Sequence, residues 1–183
     1  MGEGSSDGRP IWLLDVDGVL NAVTWQVDEG VWPEWKTGAA RADGRSYPIT
    51  FAPRLMDRIR SVHQQGLAEI RWLTTWGHDA NRDLRRLLNL PEFPVVGTPS
   101  GAAAWWKLPL AQQVALEHRP LVWTDDDLAY AAEAVNWLDG LDLPALAIAP
   151  SPDVGLRPEH VDRIIQFTRE HGAGNANRPL DRP

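Results

Sequence analysis

The chain has 183 residues, 43% of them hydrophobic and 23% charged, with a formal net charge of −7 and no cysteine. That length supports one domain with a sizeable core. The missing cysteine excludes disulfides, thiolate zinc sites and a cysteine nucleophile; the acidic balance speaks against the broad basic footprint of a duplex-binding protein; and no apolar stretch has the length of a membrane span.

Residues 1–9 carry Gly, Ser and charge with nothing to bury, and read as a flexible leader. They lack the basic and apolar regions of a signal peptide, and Met1-Gly2-Glu3-Gly4-Ser5-Ser6 fits only the short, permissive myristoylation pattern. The first strand is expected at about Ile11–Asp15. Residues 21–50 hold Trp25, Trp32 and Trp35, several glycines and two prolines, flanked by strand-like pieces at Ala22–Val27 and Tyr47–Phe51. They read as a hairpin-like excursion. A helix is expected over Pro53–Gln65, with Pro in its first turn, Leu55, Met56, Ile59 and Val62 on one face, and Gly66 as its stop. A strand at Ala68–Thr74, a helix at His78–Leu90 and a strand at Pro94–Val96 follow. Next come a helix from Trp106 to before Pro120, a strand at Leu121–Thr124, a helix at Asp127–Leu138, a strand at Ala145–Ala149 and a helix at Pro158–His171. The end of the chain, residues 173–183, resembles the leader. Alternation of this kind implies an α/β fold with a mainly parallel sheet. The expected organisation is a leader over 1–9, one domain over 10–172 with a small flap at 21–50, and a flexible tail.

Two of these strands run into acids. Ile11-Trp12-Leu13-Leu14 leads to Asp15-Val16-Asp17-Gly18, and Leu121-Val122-Trp123 leads to Thr124-Asp125-Asp126-Asp127. An unpaired buried carboxylate is costly, so a strand ending this way needs a compensating charge. In open α/β sheets ligands sit outside the carboxyl ends of the strands, where Asp15, Asp17, Thr74, Thr75, Asp125 and Asp126 all fall. A hard cation held by oxygen ligands, Mg2+ together with a phosphate, satisfies such a pocket. Asp15 suits a carboxylate nucleophile, and Asp17, two residues on, suits a general acid and then base. Gly18 suits a tight turn out of the strand.

Asp15-Val16-Asp17-Gly18-Val19 matches the DxDx[TV] signature of the haloacid-dehalogenase-like (HAD) phosphatases, and the chain resembles that superfamily in three further motifs taken in order: Thr74 (or Thr75) at a strand end, Lys107 near a helix start, and the pair Asp125-Asp126. The resemblance implies a Mg2+-dependent phosphohydrolase acting on a phosphate monoester through an aspartyl-phosphate at Asp15. Asp17 would be general acid and base, with its backbone carbonyl on the metal. Thr74 and Lys107 would hold the phosphoryl group, Asp125 would bind Mg2+ directly or through water, and Asp126 would orient that shell or Lys107. An Asp at position 17 favours phosphoryl transfer over carbon–halogen cleavage. The family fold implies a Rossmann-like three-layer sandwich whose five-stranded sheet runs in the order 5-4-1-2-3. A cap of about 30 residues after the first motif, with little room after the third strand, implies an open, minimally capped site, and the absence of cysteine fits a reducing cytoplasm as the expected location. The rival readings are a phosphotransferase and a Mg2+-binding regulatory module with little turnover. The substrate is not named by these residues, and the acidic charge disfavours polynucleotides.

Ten tryptophans remain to be placed. Trp12, Trp72 and Trp123 lie in strands and read as core. Trp76, Trp105, Trp106 and the three flap tryptophans border the site, where packing of flap against body is favoured over stacking on a ligand. Asp127 reads as a helix cap and His78 as a residue at the site rim. Pro150–Pro158 reads as a plain connection.

Overall fold

The computed structural model describes residues 8–99 and 105–172. The expected leader lies almost wholly, and the tail entirely, outside the described residues.

Four short strands form the parallel sheet: β1 (Ile11–Leu14), β4 (Glu69–Trp72), β5 (Leu121–Thr124) and β6 (Ala145–Ile148), in the order β4-β1-β5-β6. Every residue of β1 and β5 is buried, which is why both strands are continuous apolar runs rather than alternating ones. The pleat divides β1 between two cores. Trp12 and Leu14 pack with Leu55, Met56 and Ile59 of α1 (Pro53–Gln64) and with Val161 and Ile164 of α5 (Pro158–His171). Ile11 and Leu13 face the opposite way, toward Leu108 and Ala111 of α3 (Lys107–Ala115) and Ala134 and Leu138 of α4 (Ala132–Asp139). Three layers result, with helices on both faces of the sheet.

The third expected strand, Pro94–Val96, is reduced to one bridge. Val95 pairs in parallel with Trp72, through bonds from the Trp72 N–H to the Pro94 carbonyl (2.8 Å) and from the Val96 N–H to the Trp72 carbonyl (2.9 Å). Pro91 and Pro94 supply no N–H, so this edge cannot extend into a ladder. The sheet is therefore four-stranded.

The excursion after β1 is a hairpin, and the expected piece Tyr47–Phe51 lies in one of its strands, but the partner strand is not the expected 22–27. β2 (Lys36–Ala42) and β3 (Arg45–Phe51) pair antiparallel, while 22–27 is irregular. Asp43 and Gly44 form the two-residue turn, both at positive φ (49° and 75°). An Asp-Gly pair suits such a turn because both central residues must enter the left-handed region.

Two expected helices are broken. Residues 77–81 form a 3-10 turn that gives way at Arg82 to α2 (Asp83–Leu88). The Asn81 side chain explains the break, since it turns inward. Its Oδ1 accepts from the Trp72 indole (2.9 Å) and the Phe93 N–H (3.2 Å), and its Nδ2 donates to the Phe93 carbonyl (2.7 Å). A second 3-10 turn at Asp126–Ala129 precedes α4, with Ala131 outside helical geometry between them.

Candidate active site

The ladder itself delivers the acids. The Asp15 N–H bonds the Thr124 carbonyl (3.1 Å), the Leu73 N–H bonds the Leu14 carbonyl (3.0 Å), and the Asp125 N–H bonds the Ile148 carbonyl (3.2 Å). Asp15, Thr74 and Asp125 therefore leave neighbouring strands at the same level. All three are buried.

Lys107, the first residue of α3, reaches into this pocket and is itself 2% exposed. Its ammonium donates to Asp15 Oδ2 (2.9 Å) and Asp125 Oδ2 (2.7 Å). Thr74, buried at the end of the neighbouring strand, favours the ionised form of the Asp15 carboxylate. Thr75 is exposed, so of the two threonines only Thr74 acts on Asp15. Lys107 is held by Asp125 rather than by Asp126.

Asp126 closes the other side. Carboxylate oxygens of Asp15, Asp125 and Asp126 lie within 4.8 Å of one another. Gly18 makes this approach possible. Its φ is +70°, and a Cβ there would stand 2.4 Å from the Asp126 carboxyl carbon. Any side chain at 18 would displace Asp126 as well as strain the backbone. Asp125 also caps the following turn, its Oδ1 accepting from the Asp127 N–H (3.1 Å). The cap expected of Asp127 thus belongs to Asp125.

The electrostatics express a shortage of positive charge. Burial raises the Asp15 pKa above its ordinary value, against the pull of Lys107, Thr74 and the Val16 N–H. Burial and the neighbouring Asp15 charge raise Asp125 likewise. Asp126 is pushed up to about 6 by burial, Asp15 and Asp127. For Lys107, burial opposes the charge, but Asp15 and Asp125 more than offset it and keep the ammonium charged. One cation thus faces three acids. Three convergent carboxylates are the donor set a hard divalent ion prefers, and such an ion would return all three to the ionised state.

Asp17 stands apart from this cluster. Its Oδ1 accepts from Asn21 Nδ2 (2.7 Å) and its Oδ2 from the Trp76 indole N–H (2.9 Å). Asn21 is held in turn by the hairpin, because its Oδ1 accepts from the Thr50 N–H (2.8 Å). The loop 16–21 closes on itself through bonds from the Leu20 and Asn21 N–H groups to the Val16 carbonyl. Residues 150–158 brace it, with the Leu156 N–H on the Val19 carbonyl (2.8 Å) and the Val23 N–H on the Pro152 carbonyl (2.8 Å). That segment is a buttress rather than a plain connection.

The tryptophans separate by role. Trp12, Trp72, Trp123 and Trp32 are buried, and Trp32 pins the flap by donating to the Leu156 carbonyl (3.0 Å). Trp105 stacks on Trp123, with ring centroids 5.0 Å apart and planes 4° from parallel. Lys107 Nζ lies 6.0 Å from the Trp106 ring. Trp25 is fully exposed, and Trp35 bonds the Asp28 carbonyl within the flap (3.2 Å). His78 is exposed on the 3-10 turn. Asn21 and the indole N–H of Trp76 were not legible as partners of Asp17. Their contacts depend on the loop and hairpin closing, and only the four-residue spacing of Asp17 and Asn21 hints at one of them.

A parallel sheet with acids, a threonine and a helix-borne lysine at its carboxyl edge defines a HAD-type hydrolase fold and site. The family model for the HAD domain in Swiss Army Knife RNA repair proteins matches residues 11–161, and the chain belongs to that family. No curated protein matches the chain.

Proposed function

We propose that this chain is a Mg2+-dependent phosphohydrolase that cleaves a phosphate monoester through a phosphoaspartate on Asp15. The observation that carries the reading is the Lys107 ammonium bridging Asp15 and Asp125, with Thr74 buried at the neighbouring strand end and a three-carboxylate cluster beside it. Asp15 attacks phosphorus, and Thr74 and Lys107 hold the non-bridging oxygens. Asp17, oriented by Asn21 and Trp76, protonates the leaving oxygen and later takes a proton from the attacking water. Asp15, Asp125 and Asp126 would hold Mg2+ through their carboxylates, and Asp17 through its backbone carbonyl; bound there, the ion would supply the positive charge that Lys107 alone leaves short. Residues 10–172 act as one catalytic domain, with 21–50 as a minimal cap.

The family description concerns RNA repair proteins, which favours a terminal phosphate of an RNA strand as the substrate. The net charge of −7 is compatible with that choice, since an enzyme that holds one terminal nucleotide has no need to track a phosphate backbone. The test is Mg2+-dependent phosphate release from oligoribonucleotides phosphorylated at the 3′ or the 5′ end, with Asp15→Asn as control. Release that vanishes in the variant supports the reading. Release that persists in the variant contradicts the nucleophile, and transfer of the phosphoryl group to an added alcohol in preference to water favours a phosphotransferase.

A further inference from the structure

A cavity of about 430 Å3 opens between the hairpin and the strand ends, lined by Asp17, Asn21, Tyr47, Pro48, Thr75 and Trp76, among others. Ligand sites usually fall between roughly 300 and 1,000 Å3. Asp17 is the group that must reach the leaving oxygen, so whatever departs from phosphorus sits in this cavity. Its walls restrict what that can be. Tyr47 packs edge-on against Trp76, with centroids 5.6 Å apart and planes at 69°, and stays 39% exposed. A ring in that position offers a flat apolar surface to the cavity. Asp43 and Thr75 also line it. A carboxylate and a hydroxyl can accept hydrogen bonds from the hydroxyl groups of a sugar.

The pocket is built in advance. The Asp43 N–H bonds Asp79 Oδ2 (3.0 Å), Arg82 holds the other oxygen of Asp79 (2.8 Å), and Thr50 is tied to Asn21. A Cβ on Gly38 of β2 would stand 2.5 Å from Leu87 of α2, so hairpin and helix are in close contact. A site held in place this way has little ordering cost on binding.

We infer that this cavity is a preformed subsite for the one nucleoside that carries the scissile phosphate, a flat, hydroxyl-bearing group, with Tyr47 as its stacking platform. The inference rests on the phosphohydrolase reading, but its test does not need turnover. The Trp76 indole N–H lies in the cavity wall and on Asp17, so its NMR resonance reports occupancy. Titration of the full chain with adenosine, without a phosphate donor, should shift that resonance saturably. Tyr47→Ala should weaken the apparent Kd about tenfold, the usual effect of removing one base-stacking aromatic, and Tyr47→Phe should restore it. No shift with adenosine, or identical titrations of wild type and Tyr47→Ala, would each overturn the inference. Adenosine binding in a protein that hydrolyses no phosphate ester would leave the subsite standing and remove the phosphohydrolase. Hydrolysis without adenosine binding would do the reverse.

Discussion

Lys107 is the residue on which the site's electrostatics turn. It is buried and contacts two buried carboxylates at 2.9 and 2.7 Å, so removing it strands both. Breaking a buried pair on one side costs about 3–5 kcal/mol. We expect Lys107→Met to lose that much stability in chelator by urea unfolding, and to recover part of it with Mg2+. An unchanged midpoint in chelator would contradict the pairing. Asn21 serves at one remove, orienting Asp17 from the hairpin side. Asn21→Ala should lower kcat about tenfold, the value of roughly one hydrogen bond, with KM little changed. A loss confined to KM would mean that Asn21 binds substrate instead. Of these groups, the acids and Lys107 were legible because each follows directly from a strand end or a helix start. Asn21 and Tyr47 were not, because neither is placed by its own element.

The hairpin shows why some elements resist reading. Its strands, Lys36–Ala42 and Arg45–Phe51, are largely exposed, so no two-residue hydrophobic alternation marks them. Only Tyr47–Phe51 was legible, within the second strand; the expected piece at 22–27 is irregular, and Asp43-Gly44 is the pair that sets the turn. By contrast α1 and α5 were legible almost to the residue, because proline opens each and a single apolar face runs through it. The helix expected at 78–90 failed for a tertiary reason, the inward turn of Asn81. The same region anchors the hairpin tip through Asp79. Asp79→Ala removes the acceptor of the Asp43 N–H and should speed amide exchange about tenfold at residues 41–45, leaving the parallel sheet unaffected. Unaltered exchange at the tip would show that Asp79 does not secure it.

At the scale of the molecule, the two ends of the sheet respond oppositely to pH. At the far end from the site, Glu69 and Glu117 pair with Arg71 and Arg119. For Glu69, burial is more than offset by bonds from Arg71 and Arg119; Glu117 is lowered chiefly by its bond from Arg71. Their contribution is present above the ordinary glutamate value of 4.5 and is lost as pH falls through the lowered values. At the site, Asp15, Asp125 and Asp126 are raised. The folded state then binds more protons than the unfolded one, so metal-free stability falls as pH rises from the ordinary aspartate value of 3.8 through about 6, where Asp126 ionises, and beyond. A divalent cation removes that loss. Thermal melts in chelator should therefore decline from pH 5 to pH 8, and stabilisation by Mg2+ should grow over the same range. A Mg2+ effect independent of pH would contradict a cation held by these three acids. Among the described residues no helix is long and apolar enough to cross a membrane. The four strands of the sheet were legible as apolar runs, whereas the third expected strand, Pro94–Val96, shrinks to a bridge because Pro91 and Pro94 donate no N–H to a ladder. The most direct test of the whole account is phosphate release from a 3′- or 5′-phosphorylated oligoribonucleotide by wild type and Asp15→Asn, with and without Mg2+, alongside circular dichroism of both. The account predicts metal-dependent release by the wild type and none by a fully folded variant; equal release by both proteins would contradict it.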